Sequence, residues 1–181
     1  MQLKTYQRET MATLRRFLRD ARLRGPKAAY ESITKEEEQA KRLRGYGGTY
    51  TPLLGDEELP YVCLRLPTGG GKTLLGSYAI SAAAQDYIGQ EFPMVLWLVP
   101  STMIRKQTAE ALQNPRHPYR QALAEHFGEP VKVFDMGDFL RLRPHDIGRH
   151  LCVFVGTIQN LRVSNTDGRK VYDHQRTMEV H

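Results

Sequence analysis

Three consecutive glycines, Gly69–Gly71, stand between an apolar segment and a pattern typical of a helix. The apolar segment is YVCLRL, residues 61–66, and the helical pattern is GKTLLGSYAISAAAQDYI, residues 71–88. Glycines permit a tight turn, and the exposed N–H groups at the start of a helix stabilise negative charge. The stretch therefore predicts a strand, a phosphate-binding loop and a helix in direct succession.

The two residues after the glycines have the side chains that a bound nucleotide requires. Lys72 is expected to reach the β- and γ-phosphates, and the hydroxyl group of Thr73 is expected to hold Mg²⁺. Leu66 occupies the position of the first glycine in the strict GxxxxGK[ST] pattern, so that pattern is not met. A glycine-rich turn followed by an incidental lysine is the alternative interpretation. The unbroken run from Gly69 to Thr73 after an apolar segment disfavours it.

Apolar runs and helical patterns alternate along the rest of the chain. MVLWLV (94–99), VKVFD (131–135) and LCVFV (151–155) predict strands, and MVLWLV is apolar enough to be buried on both faces. STMIRKQTAEALQ (101–113), which Ser101 is expected to open as a helix cap, and YRQALAEHF (119–127) predict helices. This alternation predicts an α/β fold with a mostly parallel sheet and helices on both of its faces. Cys63 and Cys152 fall within predicted strands, and we expect both thiols to be reduced and buried.

The first 60 residues follow a different pattern. Apolar residues spaced three and four apart predict one helix, with a stripe formed by Met11, Leu14, Leu18 and Ala21. Residues 27–44 predict a second, strongly charged helix, and residues 48–60 predict a loop rich in turn formers. We therefore divide the chain into an N-terminal helical region, residues 1–60, and a core domain, residues 61–181.

Composition excludes several classes of protein. No apolar run is long enough to span a bilayer, and the N-terminus lacks the apolar core of a signal peptide, which predicts a cytoplasmic protein without membrane partners. No cysteine and histidine cluster has zinc spacing. The net charge of +6 permits a polyanionic partner. The arginines of the first helix, together with Arg141, Arg143 and Arg149, are open to two interpretations, a polyanion-binding surface or a solvated face with ordinary ion pairs.

Four segments resemble, in order, the motifs of superfamily-two helicases and translocases. LPTGGGKT is similar to motif I, including Pro67 and Thr68, and LKTYQ (3–7) is similar to the glutamine motif. LVPSTMIRKQ (98–107) resembles motif Ia, and VGTIQNL (155–161) resembles motif Ib. Within this superfamily, PTGGGKT, TIQNL and the tail NTDGRKVYDH are most similar to the helicase subunit of type III restriction enzymes and related phage-defence proteins.

The resemblance implies a three-layer RecA-like P-loop domain that binds ATP and Mg²⁺ and works as an ATP-dependent helicase or translocase on DNA. It implies a methyltransferase or another defence-system subunit as a partner. Gln7, together with Tyr6, would read adenine, since an amide offers a donor and an acceptor. The cradle for the phosphates would be Pro67, Thr68, Gly69, Gly70, Gly71, Lys72, Thr73 and Leu74. The backbone of the nucleic acid would be contacted by Ser101, Thr102, Thr157 and Gln159.

An acidic D-E-x-H motif, which this family uses for hydrolysis, does not occur in the sequence. The acidic residues 56–58 precede the loop, and Asp173-His174 has no preceding apolar strand. We therefore expect the chain to be the N-terminal part of a longer enzyme, truncated before the acidic motif, that by itself binds ATP without appreciable hydrolysis. A degenerate module, another kind of P-loop ATPase, and a non-catalytic nucleotide- or nucleic-acid-binding module in a defence assembly are the alternatives.

Overall fold

The computed structural model describes residues 2–36, 41, 48–135 and 143–161. The chain forms two compact units, Met1–Gly89 and Gln90–His181. The phosphate loop belongs to the first unit, together with the N-terminal helices, and the division at residue 60 stays a prediction. Within the described ranges, no helix combines the length and the apolar character needed to cross a bilayer.

The first unit is built from helices. Helix α1 spans Thr5–Arg24, α2 spans Pro26–Thr34, and α3 spans Lys72–Ala83 and continues as a π-helical turn over Ala84–Ile88. Gly25, with φ +84°, separates α1 from α2, and Pro26 begins α2 at the position where its missing N–H costs nothing. The predicted stripe of α1 is buried, which confirms the periodicity. The core of this unit contains Met11, Leu14, Phe17, Leu18, Ala21, Ala29, Ile33, Tyr50, Leu75 and Ala82.

Ion pairs within the first unit hold arginines of α1. Arg15 lies 2.9 Å from Asp86, Arg16 pairs with Glu36, and Arg24 lies 2.9 Å from Asp20. This pairing favours the interpretation of a solvated, ion-paired face over that of a polyanion-binding surface.

The second unit contains a three-stranded parallel sheet in the order β1-β3-β2. Strand β1 spans Met94–Val99, β2 spans Val131–Asp135, and β3 spans Leu151–Thr157. Helices α4, Thr102–Gln113, and α5, Pro118–Phe127, connect β1 to β2 and pack against the sheet, and the short helix α6, Ile158–Leu161, follows β3. The parallel sheet with crossover helices confirms the predicted α/β class and is consistent with a RecA-like domain.

A strand predicted over residues 61–66 is absent from the structure. The segment is extended, but it has no strand partner among the described residues, and the N–H group of Tyr61 donates instead to Oη of Tyr50 (2.9 Å). Val62 and Leu66 pack against the helical core, whereas Cys63 is exposed, so its predicted burial is wrong. An apolar run becomes a strand only when a neighbour pairs with its backbone, and here the segment lies along helices instead.

MVLWLV forms a strand, but the prediction that both of its faces are buried is wrong. Met94, Leu96 and Leu98 are 57%, 52% and 41% exposed. The register pairs Leu96 with Phe154, so these side chains share a face with the buried Phe154 of β3. β3 is buried along its whole length because it is flanked by both other strands, whereas β1 is an edge strand.

An ion pair between a buried carboxylate and a partly exposed lysine joins β2 to a 3₁₀ turn over Pro144–Asp146 that precedes β3. Asp146 is 1% exposed, and its carboxylate accepts hydrogen bonds from Nζ of Lys132 (2.5 Å) and from the N–H of Arg143 (3.2 Å). The hydrogen bond from the Lys132 ammonium group lowers the pKa of Asp146 below its ordinary value. The neighbouring Cys152 is fully buried, as predicted, and burial raises the pKa of its thiol.

Residues 37–40 and 42–44 of the predicted charged helix lie outside the described residues, as do residues 45–47, the segment 136–142 with Arg141, and all of the tail from residue 162.

Candidate functional site

The loop that precedes α3 begins with a tight turn over Pro67–Gly70. The N–H group of Gly70 donates to the carbonyl oxygen of Pro67 (2.9 Å), and Gly69 has φ +75°. A turn with a positive φ at its third residue favours glycine at that position, because only glycine adopts this conformation without strain. Glycine is therefore favoured at position 69 by backbone conformation alone. Crowding plays no part, because a Cβ atom there would meet nothing within 4 Å.

The next two glycines are required by close contacts as well. A Cβ atom at Gly70 would lie 2.8 Å from the carbonyl oxygen of Pro67, and one at Gly71 would lie 2.5 Å from Nε2 of Gln7. Gly71 also has φ +81°. The consecutive glycines thus allow the loop to fold tightly onto itself and onto the first turn of α1.

Helix α3 begins at Lys72, with Gly71 at its N-cap position and no side chain capping its first turn. The first N–H groups of a helix have no acceptor within the helix, and the helix dipole concentrates partial positive charge at this end. A loop of glycines leading into an uncapped helix N-terminus is the geometry in which proteins bind phosphate groups. The geometry expected from the sequence is therefore present, although the strand that was expected to precede it is not.

The side chains of the predicted cradle differ in exposure. Lys72 is exposed, and its ammonium group donates to the carbonyl oxygen of Pro67 (3.0 Å), so the cation is held beside the loop. Thr73 is half-buried, Leu74 is buried in the first turn of α3, and Pro67 and Thr68 are exposed. The positive charge and the hydroxyl group that a magnesium-bound triphosphate requires therefore lie at the same helix end.

Tyr6 and Gln7, which lie more than 60 residues away in sequence, contact the loop from α1. Both donate hydrogen bonds to the carbonyl oxygen of Gly70, Tyr6 through its hydroxyl group (3.1 Å) and Gln7 through Nε2 (3.0 Å). Oε1 of Gln7 accepts a hydrogen bond from the N–H group of Lys4 (2.9 Å), and the residue is 5% exposed. The structure thus brings both residues of the predicted glutamine motif to the loop, and their contact with adenine stays a prediction.

The residues of the loop and of the first turn of α3 fit the phosphates of ATP with Mg²⁺. Within the described parts of the chain, no group of three or more histidine, cysteine, aspartate or glutamate side chains is placed to hold a metal. The open glycine loop, the uncapped helix end and Lys72 suit the phosphates, and Thr73 would hold a magnesium ion that the nucleotide brings with it.

The four residues predicted to contact nucleic acid lie at one edge of the sheet in the second unit. Val99 pairs with Thr157 in the parallel register of β1 and β3. Ser101 and Thr102 therefore follow the carboxyl end of β1, and Thr157 ends the neighbouring β3, with Gln159 two residues later. Thr102 and Gln159 are exposed, whereas Thr157 is 4% exposed. Oγ of Ser101 accepts a hydrogen bond from the N–H of Ile104 (3.3 Å) and caps α4, as predicted.

An ion pair at this edge was not predicted from the sequence. Arg105, in the first turn of α4, pairs with Asp135, the last residue of β2. The available signal was a charged residue at the carboxyl end of a predicted strand, together with a neighbouring helix N-terminus that carries an arginine. Nε of Arg105 is buried without a hydrogen-bond partner among the described residues.

A comparison with protein families matches residues 1–179 to a model described as the res subunit of type III restriction enzymes. The chain belongs to this family. The match confirms the resemblance drawn from motif I, the glutamine motif and motifs Ia and Ib, and it identifies the chain as a helicase-like, ATP-binding domain of the P-loop class. Such domains generally use ATP and Mg²⁺ and act on nucleic acids. Comparisons with curated proteins and with solved structures returned no significant match.

Proposed function

We propose that this chain is the ATP-binding part of an ATP-dependent DNA helicase or translocase. The observation that carries the proposal is the loop Pro67–Gly71, which folds tightly onto α1 and opens onto the uncapped N-terminus of α3 with Lys72 beside it. In this role the backbone N–H groups of the loop and of α3 bind the phosphates, and Lys72 neutralises charge on them. Thr73 orients the magnesium ion that accompanies the nucleotide.

Nucleic acid is proposed to bind at the carboxyl edge of the sheet in the second unit. Thr102 and Gln159 are exposed there and offer a hydroxyl and an amide group to phosphate oxygens, and the N-terminus of α4 offers backbone N–H groups. Ser101 would offer its backbone N–H group and its hydroxyl hydrogen, since the hydroxyl oxygen accepts from the N–H of Ile104 and its O–H is still a donor. Thr157 is buried, so its contribution would be to hold the end of β3 in place for Gln159.

Hydrolysis is proposed to depend on acidic residues outside these 181. The sequence has no D-E-x-H motif, and a P-loop without an acidic group to order Mg²⁺ and water binds nucleotide but turns it over poorly. The proposed setting is a restriction or phage-defence system in the cytoplasm, with a methyltransferase or another defence subunit as the partner. The family match supports the helicase-like part of this proposal.

Nucleotide binding tests the first part of the proposal. We expect Lys72→Ala to weaken binding of Mg·ATP to the chain by about 10- to 100-fold, because hydrogen bonds to charged groups contribute about 1.5–3 kcal/mol. Lys27→Ala is the matched control, since Lys27 is an exposed lysine of α2 in the same unit. Isothermal titration calorimetry measures both affinities, and equal affinities in the two variants would contradict the proposal.

ATP turnover tests the proposed dependence of hydrolysis on acidic residues outside this chain. The chain by itself is expected to show no multiple-turnover ATPase activity above that of its Lys72→Ala variant. A protein that contains this chain together with an acidic motif is expected to hydrolyse ATP faster when DNA is added. Hydrolysis by the isolated chain would refute the dependence on outside residues, and DNA-independent hydrolysis would favour another kind of P-loop ATPase.

A further inference from the structure

We propose that Tyr6 and Gln7 position the phosphate loop by holding the carbonyl group of Gly70, so that the N–H group of Gly71 is aimed at the phosphates of the nucleotide. The proposal rests on the proposed function, since it concerns the same site. It gives Gln7 a positioning role that does not depend on the base of the nucleotide.

Two donors from consecutive residues of α1 converge on one oxygen atom. The hydroxyl group of Tyr6 lies 3.1 Å and Nε2 of Gln7 lies 3.0 Å from the carbonyl oxygen of Gly70. A carbonyl oxygen has two lone pairs, so both hydrogen bonds can form at once. The hydrogen bond from Gln7 is shielded from water, because Gln7 is 5% exposed and Gly70 is buried, and such a bond restrains the carbonyl direction strongly. The bond from Tyr6, which is 37% exposed, is only partly buried and adds a second restraint.

The direction of this carbonyl group determines the direction of the next N–H group. In a planar trans peptide the C=O of one residue and the N–H of the next point in opposite directions, and the described chain contains no cis peptide bond. Holding the Gly70 carbonyl toward α1 therefore turns the Gly71 N–H away from α1. This peptide unit lies between two glycines, which permit a wide range of φ and ψ, so its plane needs an external restraint to keep one orientation.

The amide group of Gln7 is fixed at both ends. Oε1 accepts from the N–H of Lys4 (2.9 Å), which places the side chain in a capping arrangement at the start of α1, and Nε2 donates to Gly70. Gly71 has only a hydrogen atom where a Cβ would lie 2.5 Å from Nε2, so the loop and the amide group are in close contact. An amide group that is engaged in this way acts on the phosphates through the loop, and its effect is the same for every base.

Two substitutions remove the donors separately. Gln7→Glu keeps an oxygen for the N–H of Lys4 but replaces the donor to Gly70, and Tyr6→Phe removes the hydroxyl group but keeps the ring. The controls are Tyr87→Phe, which removes a hydroxyl group that donates to the carbonyl oxygen of Glu58 (3.0 Å), and Gln121→Glu on the exposed side of α5.

The experiment measures affinities of the 181-residue chain for Mg·ATP, Mg·GTP and inorganic tripolyphosphate by calorimetry, at a temperature where circular dichroism shows each variant folded. We expect Gln7→Glu and Tyr6→Phe each to lower the affinity for all three ligands by the same factor, about 3- to 10-fold for a lost hydrogen bond. The two controls are expected to bind like the parent chain. If Gln7→Glu does not fold, Tyr6→Phe decides the question alone.

Other outcomes overturn the proposal. A loss confined to Mg·ATP, with tripolyphosphate unaffected, would assign Gln7 to the base, and unchanged affinities in Tyr6→Phe would show that the carbonyl group needs no restraint. If Lys72→Ala weakens binding of the three ligands while neither Gln7→Glu nor Tyr6→Phe does, only the positioning role fails. If the parent chain binds none of the three ligands, or Lys72→Ala has no effect, the proposed function fails with it.

Discussion

Gly71 is the position at which one added methyl group tests the contact between the phosphate loop and α1. We predict that Gly71→Ala destabilises the first unit by two separable costs. The first is conformational: with φ +81°, an alanine is placed in a left-handed conformation that costs about 1–2 kcal/mol. The second is steric, because the new Cβ would lie 2.5 Å from Nε2 of Gln7.

The steric cost follows from what Gln7 must give up to move. Its side chain is flexible, but it makes one hydrogen bond at 3.0 Å to Gly70 and one at 2.9 Å to Lys4. Each contributes about 0.5–1.5 kcal/mol, so displacing the amide group costs about 1–3 kcal/mol. The total for Gly71→Ala is about 2–5 kcal/mol. Gly69→Ala, at φ +75° with open space around it, is the matched control and is expected to incur the conformational cost alone.

A double-mutant cycle separates the two costs. In a Gln7→Ala background the obstructing amide group is gone, so Gly71→Ala is expected to cost no more than Gly69→Ala, about 1–2 kcal/mol. The measurement is hydrogen exchange of peptides from α1 and α3 as a function of denaturant, because the single tryptophan, Trp97, lies in β1 and reports on the second unit. Equal costs for Gly71→Ala in both backgrounds would refute the contact between the loop and α1.

Three further predictions concern burial and charge. The exposed thiol of Cys63 is expected to react quickly with a disulfide reagent under native conditions, whereas the fully buried thiol of Cys152 is expected to react only after denaturant is added. Fast reaction of both thiols in the folded chain would contradict the structure. Because the pKa of Asp146 is lowered in the folded chain, its ionisation stabilises the fold above the unfolded-state pKa of about 3.9, and this contribution is lost as the pH falls through the folded-state value. Asp146→Asn should therefore cost most near neutral pH and least in acid. Denaturation at several pH values that gave a constant difference would argue against the ion pair between Asp146 and Lys132. Leu123→Ala, at a fully buried position, is expected to lower the free energy of unfolding by about 2–5 kcal/mol, and Leu96→Ala, at a position 52% exposed, by less than about 1 kcal/mol. Equal losses of stability in urea denaturation would mean that the exposed face of β1 is covered.

Local patterns predicted most of the secondary structure. The apolar stripe of α1, the cap at Ser101 and the alternation of strands and helices after residue 94 depend on residues close in sequence, and the structure confirms them. The strand predicted over residues 61–66 and the burial predicted for both faces of MVLWLV were wrong for one common reason. Hydrophobicity indicates that a segment packs against something, but it does not say which neighbour pairs with its backbone or whether a strand is central or at an edge.

The sequence by itself determined the family and predicted a tight glycine turn that leads into a helix. The run of glycines followed by Lys72-Thr73, and the motifs in their order, were sufficient for both, because they depend on which residues follow one another. Only the tertiary structure decided what the glutamine motif contacts. Tyr6 and Gln7 meet the carbonyl group of Gly70 because α1 packs beside the loop, at a separation of more than 60 residues. Contacts at that separation depend on how helices pack, and no local pattern records that packing.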